Sequence, residues 1–118
     1  SELLGPKRGV LPGADATGRA VVLSECGGVG YVAAQGPALE RELFVYGSLP
    51  RTPEQLEARL RDLAAGIAAL PELAGFVWTQ LTDVQQERNG LLDFERRPKL
   101  PLETLREIFG SLGAPTAP

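Results

Sequence analysis

The chain has 118 residues, 43% of them hydrophobic, and a formal net charge of −3, which is enough for one small domain with a modest core and too apolar for disorder by composition. It has no His and a single Cys, which excludes Ser-His-Asp and Cys-His catalysis, His-ligated metal sites, an internal disulfide and a Cys-rich zinc site within these residues. No run approaches the ~18 apolar residues of a membrane span, and the short cluster Arg96, Arg97 and Lys99, read as a solvated loop, is no basic stripe for nucleic acid.

No Met occurs, and the chain begins Ser1-Glu2-Leu3. Removal of an initiator fits this, and so does a chain that is a piece of something longer. Residues 1–19 carry Gly5, Pro6, Gly9, Pro12, Gly13 and Gly18 with little periodicity. They read as a loop or the remnant of a preceding unit.

The run Ala20-Val-Val-Leu-Ser24 reads as a strand buried on both faces, as parallel strands are. Glu25 follows at its carboxyl end, with Gly27 and Gly28 close behind. That end of a strand is where binding and catalytic groups collect in α/β folds. A carboxylate there can act as a nucleophile or a base; local pattern alone favours a strand-terminal Glu facing solvent. Cys26 reads as a buried small apolar residue, its thiolate disfavoured by the like charge of Glu25. Residues 27–51 form a long connection holding Tyr31, Phe44 and Tyr46. Such a length is uncommon unless functional, and these aromatics either line a cleft or pin the loop to the body.

Thr52-Pro53-Glu54-Gln55 is a helix start: Thr52 caps, Pro53 fits the first helical position, and Gln55 completes a capping box. Leu56, Leu60, Leu63, Ile67 and Leu70 recur at spacings of three and four, one stripe facing a core. Glu57 and Arg61 form an i,i+4 pair, and Pro71 ends the helix. Gly75 to Leu81 is the second strand, with Phe76, Trp78 and Gln80 on one face. Residues 82–99 form a polar loop with a turn at Asn89-Gly90. A last helix runs from Pro101 to Phe109 with Gly110 as its cap, and residues 111–118 are a fraying tail. Two strands joined by a helix imply a parallel βαβα unit, and two strands alone make a poor sheet.

The stretch Gly75-Phe-Val-Trp-Thr-Gln-Leu-Thr-Asp-Val-Gln-Gln-Glu-Arg-Asn-Gly-Leu-Leu92 resembles the C-terminal part of the catalytic barrel of glycoside hydrolase family 2, which includes β-galactosidases, β-glucuronidases and β-mannosidases. Asp93-Phe-Glu-Arg-Arg-Pro-Lys99 and the helix after it continue the likeness. Leu23-Ser-Glu-Cys-Gly-Gly28 resembles the family's seventh barrel strand. The resemblance implies an α/β fold, with residues 20–110 as the C-terminal quarter of a (β/α)8 barrel. It implies a retaining β-glycosidase acting on a carbohydrate substrate, with Glu25 as catalytic nucleophile. It also implies a Trp78–Thr79 cis peptide, and Trp78 at the strand end, on the same side as Glu25, stacking on the sugar.

Gln80 and Asn89 either bond sugar hydroxyls or hold the loop. Asp83 is either a substrate contact or a salt bridge or turn cap. Neither a metal nor a cofactor is expected, and neither nucleic acid nor membrane is an expected partner. The acid/base Glu of the family lies on its fourth barrel strand, which these residues do not contain. The expected partner is therefore the missing amino-terminal portion of the barrel, and the isolated chain is expected to be inactive. Cys26 stands where an aromatic is usual. Two other readings stay open: a small non-catalytic α/β binding domain whose Gly27, Gly28 and Gly30 loop cradles an anion, and an inactive paralogue.

Overall fold

The computed structural model describes residues 18–32 and 49–112. The expectations for residues 1–17, for Phe44 and Tyr46, and for the tail from residue 113 lie outside the described residues. The order of elements is β1 (Val21–Gly27), α1 (Pro53–Ala68), β2 (Leu73–Thr79) and α2 (Leu102–Gly110). β1 and β2 pair in parallel as a two-stranded sheet. This is a small α/β unit, and its strand-helix-strand-helix order agrees with the apolar pattern.

α1 starts where its chemistry directs. Thr52 is extended, and its Oγ1 accepts the Gln55 N–H at 3.1 Å, satisfying one of the first-turn donors that a helix leaves unpaired. The Gln55 side chain reaches back one residue further than a standard capping box: its Oε1 accepts the N–H of Arg51 at 2.8 Å. Leu56, Leu60, Leu63, Ile67 and Leu70 are all buried, as their spacing predicts. The helix ends at Ala68, two residues before the expected limit. The Leu70 N–H bonds Ile67 O in a tighter turn that leads into Pro71, consistent with the bias against helix just before proline. The Glu57–Arg61 pair forms at 3.3 Å, and Arg61 also reaches Glu107 on α2 at 3.2 Å. All three side chains are well exposed, so these pairs orient more than they stabilise.

β2 begins and ends two residues earlier than predicted. Gln80 and Leu81 leave the sheet through a cis Thr79–Gln80 peptide, one bond after the expected Trp78–Thr79 position. α2 keeps Gly110 as its last helical residue, with Ser111 as the cap instead.

The core gathers where both helices meet the carboxyl end of the sheet. Val29 and Tyr31 from beyond β1, Leu56, Leu60 and Leu63 of α1, Leu100, and Leu105 and Ile108 of α2 form one buried cluster. Trp78, Leu91, Phe109 and Leu112 pack against it. Tyr31 therefore pins its loop to the body, one of its two expected roles. The expectation of strands buried on both faces is corrected. Val22 and Val77 are 52% and 53% exposed, because no third strand or second layer covers that face among the described residues.

Candidate active site at the carboxyl end of the sheet

The register of the sheet decides where Glu25 stands. Leu23 pairs with Phe76 and Cys26 with Trp78. Between those pairs lie two residues of β1, Ser24 and Glu25, and one of β2, Val77. This is a β-bulge, a feature that re-aims side chains and recurs beside active sites. It also lengthens β1 past the predicted Ser24, so that Glu25 is held inside the strand rather than after it. Glu25 is exposed, and no hydrogen bond or ion pair engages its carboxylate among the described residues.

Paired residues of neighbouring strands share a face. Cys26 and Trp78 share the face that carries the core; Val77, between Phe76 and Trp78, faces the other way. The Trp78 ring meets Phe109 of α2 edge-on, with centroids 4.9 Å apart at 76°. It also lies against Gly27, where an added Cβ would come within 2.8 Å of the ring and 2.6 Å of the Thr79 carbonyl oxygen. Gly27 has φ +102° and Gly28 has φ +67°, a backbone path that side chains oppose. The glycines thus let β1 pass under the indole. Trp78 is at the carboxyl end of β2, as predicted, and its ring packs against Phe109 of α2. The contacts the ring makes are those of core packing, against Phe109 and the buried cluster. The Gly28 N–H donates to Thr79 O at 2.7 Å, so it extends the strand pairing and is not offered to an anion.

Cys26 is buried, as expected, and its Sγ lies 3.4 Å from Val77 O. Its thiol is pushed up from the ordinary value of 9.0 by burial. The expected cause, the charge of Glu25, is replaced by desolvation.

The 80–99 loop folds back on itself. Leu91 N bonds Gln80 O at 3.0 Å and Leu92 N bonds Leu81 O at 2.9 Å. The reversal is at Val84–Glu87, whose N–H and C=O groups bond reciprocally. The turn expected at Asn89-Gly90 is not there. Those two residues are buried in the returning leg, where Gly90 sits against the backbone of Thr82 and Asp83 too closely for any Cβ.

Asp83 anchors this loop. It is 6% exposed. Its Oδ1 accepts the Gly90 N–H at 2.9 Å and the Lys99 ammonium at 2.6 Å. Lys99 also donates to Arg88 O at 2.9 Å. Of the two roles weighed for Asp83, the ion pair and cap is the one built. Lys99, expected on a solvated loop, is buried with it, while Arg96 and Arg97 stay exposed. No local signal marks this pair, since sixteen residues separate its members. Gln80 donates its side-chain amide to Glu87 O at 3.4 Å, and its backbone bonds Asn89 O and the Leu91 N–H. Asn89 is 3% exposed. Gln80 holds the loop; Asn89 contributes its backbone carbonyl, its side-chain Oδ1 being buried without a hydrogen-bond partner, and neither is brought beside Glu25 by any contact in the described residues.

The turn at 93–97 carries a readable titration. Asp93 accepts the Arg97 N–H at 2.9 Å, the Arg97 guanidinium at 2.9 Å and the Glu95 N–H at 2.8 Å. The Arg97 N–H foremost holds the carboxyl below its ordinary value of 3.8, against an opposing effect of burial. A lowered folded value means that the unfolded chain takes up the proton first. The contribution of Asp93 is therefore present above about pH 3.8 and lost as pH falls through the folded value. An NMR titration of the Asp93 side chain should show a midpoint below 3.8, and Arg97→Ala should move it upward.

No group of three or more His, Cys, Asp and Glu side chains that could hold a metal occurs among the described residues, and no described helix is long and apolar enough to cross a membrane. No protein-family model matches this chain, and no curated protein matches it either.

Proposed function

We propose that this chain is the nucleophile-bearing, C-terminal part of the catalytic barrel of a retaining β-glycosidase of the glycoside hydrolase family 2 type, with Glu25 as nucleophile. The observation that carries the reading is the bulge. It holds an exposed carboxylate at the carboxyl end of a parallel strand, with no partner and no layer over the outward face of the sheet among the described residues. The resemblance of residues 75–99 supports the same reading. So does the sheet itself, since two strands whose outer edges have no partner among the described residues call for neighbours.

In this chemistry the Glu25 carboxylate attacks the anomeric carbon as the glycosidic C–O bond breaks. The leaving oxygen takes a proton from a second carboxyl group about 5–5.5 Å away. That group then removes a proton from water, the water oxygen bonds the anomeric carbon, and the ester to Glu25 breaks. The second group belongs to the amino-terminal portion of the barrel. Asp83, buried with Lys99, and Asp93, tied to Arg97, are both engaged elsewhere.

The expected result is that the 118-residue chain alone leaves aryl β-galactosides, β-glucuronides and β-mannosides intact. Hydrolysis should appear only when the amino-terminal portion is supplied. Hydrolysis by the chain alone, lost in Glu25→Gln, would show that the second acid lies within these residues.

A further inference from the structure

Two pins bound the bulge that holds Glu25. On one side Leu23 pairs with Phe76; on the other Cys26 pairs with Trp78 and Gly27 with Thr79. Were the register to run straight on from the first pin, Ser24 would face Val77 and Glu25 would face Trp78. Paired residues share a face, so the carboxylate would enter the core, where an unpaired charge is costly. The bulge takes up one residue and puts Cys26 in that place instead. It lasts only as long as the second pin holds.

The second pin is a close approach of the two backbones. Gly28 donates its N–H to Thr79 O at 2.7 Å. At Gly27, where φ is +102°, a Cβ would stand 2.6 Å from that same oxygen and 2.8 Å and 3.0 Å from Cε2 and Cδ2 of the Trp78 ring. The first obstacle is backbone and the second is a ring packed on Phe109, so neither yields as the end of a flexible side chain does. Gly75, paired with Val22 in the same sheet, has nothing within 4 Å of the place its Cβ would take. The crowding thus belongs to the end of the sheet that follows Glu25. We infer that Gly27 is a positioning residue for Glu25: its bare backbone lets β1 seat against Thr79 and the indole, and that seat keeps the bulge and the outward aim of the carboxylate. The inference rests on the reading of Glu25 as nucleophile, and it adds a residue that touches no substrate but sets the line of attack.

The test makes the same substitution at two glycines of one sheet. In the 118-residue chain, NMR reads the exchange rate of the Gly28 N–H and the position of the Glu25 N–H signal. The chain has one Trp, so the contact between its indole and the Gly27 Hα protons is read without ambiguity, and its absence in the unmodified chain overturns the inference. Gly27→Ala should speed Gly28 exchange about tenfold or more and move the Glu25 signal, while Gly75→Ala leaves both unchanged. If Gly27→Ala does not fold, its combination with Trp78→Leu is compared with Trp78→Leu alone: the ring is gone but the Thr79 oxygen remains, so the Glu25 signal should still move. In the full-length enzyme, Gly27→Ala should lower kcat about 100-fold and change KM much less, because the nucleophile is kept and only its placement is lost. Gly75→Ala should keep the kcat of the unmodified enzyme. An unmoved Glu25 signal in the folded variant overturns the inference. So does a moved signal with undiminished kcat, a result that leaves Glu25 as nucleophile. Undiminished turnover in Glu25→Gln instead removes the reading on which the inference rests.

Discussion

Glu25→Gln, made in the full-length enzyme that the proposed function requires, should lower turnover on the order of 10³-fold or more while leaving the fold unchanged. Glutamine keeps the shape of the side chain and removes the attacking charge. Its cost in stability should be small, because Glu25 is exposed and makes no hydrogen bond or ion pair among the described residues. The bulge should persist, since Leu23–Phe76 and Cys26–Trp78 pairing does not involve the carboxylate. A mechanism-based fluoro-sugar should attach to the peptide containing Glu25, the mass of one glycosyl group marking the ester. Undiminished turnover in Glu25→Gln, or a label on another carboxylate, would remove Glu25 from the mechanism.

Lys99→Ala should destabilise the chain by about 3–5 kcal/mol. It strands the buried Asp83 carboxylate with the Gly90 N–H as its remaining partner in the pair's network, and it also removes the donor to Arg88 O. Against the ~5–15 kcal/mol of a typical domain, that is a large share. Urea unfolding of the purified chain measures it. The double variant Asp83→Asn with Lys99→Met should recover much of the loss, because the penalty comes from an unpaired buried charge more than from loss of the pair. If Lys99→Ala cost no more than an exposed substitution, the buried pair would not be holding the loop.

The titration of Lys99 points the same way. Burial lowers its ammonium below the ordinary value of 10.5, and Asp83 only partly opposes this. Between the folded value and 10.5 the unfolded chain binds more protons. The Lys99 contribution therefore makes the fold more stable as pH rises through that window. The pair is thus costly to charge and costlier to break.

Much of this fold is legible in the order of residues. The stripe from Leu56 to Leu70, the Thr52 cap and the apolar runs at Val21 and Phe76 are local patterns, and local backbone chemistry acts on them directly. Parallel pairing follows from the intervening helix. Glu25 at a strand end is legible for the same reason. What the order of residues does not contain is register. Whether β1 carries a bulge depends on how Leu23 and Cys26 align with Phe76 and Trp78, and that alignment comes from packing across the sheet. The same alignment sets Trp78 on the face that meets Phe109, because one residue of register selects the face of a side chain. The loop shows the limit again. Asn89-Gly90 carries a turn signal, yet the chain reverses at Val84–Glu87, since Asp83 draws in Gly90 and Lys99 together. Local sequence determined the elements and their order. Only tertiary contacts, each between residues distant in the chain, decided which charges are buried, because burial is set by what packs around a group and not by its neighbours in sequence.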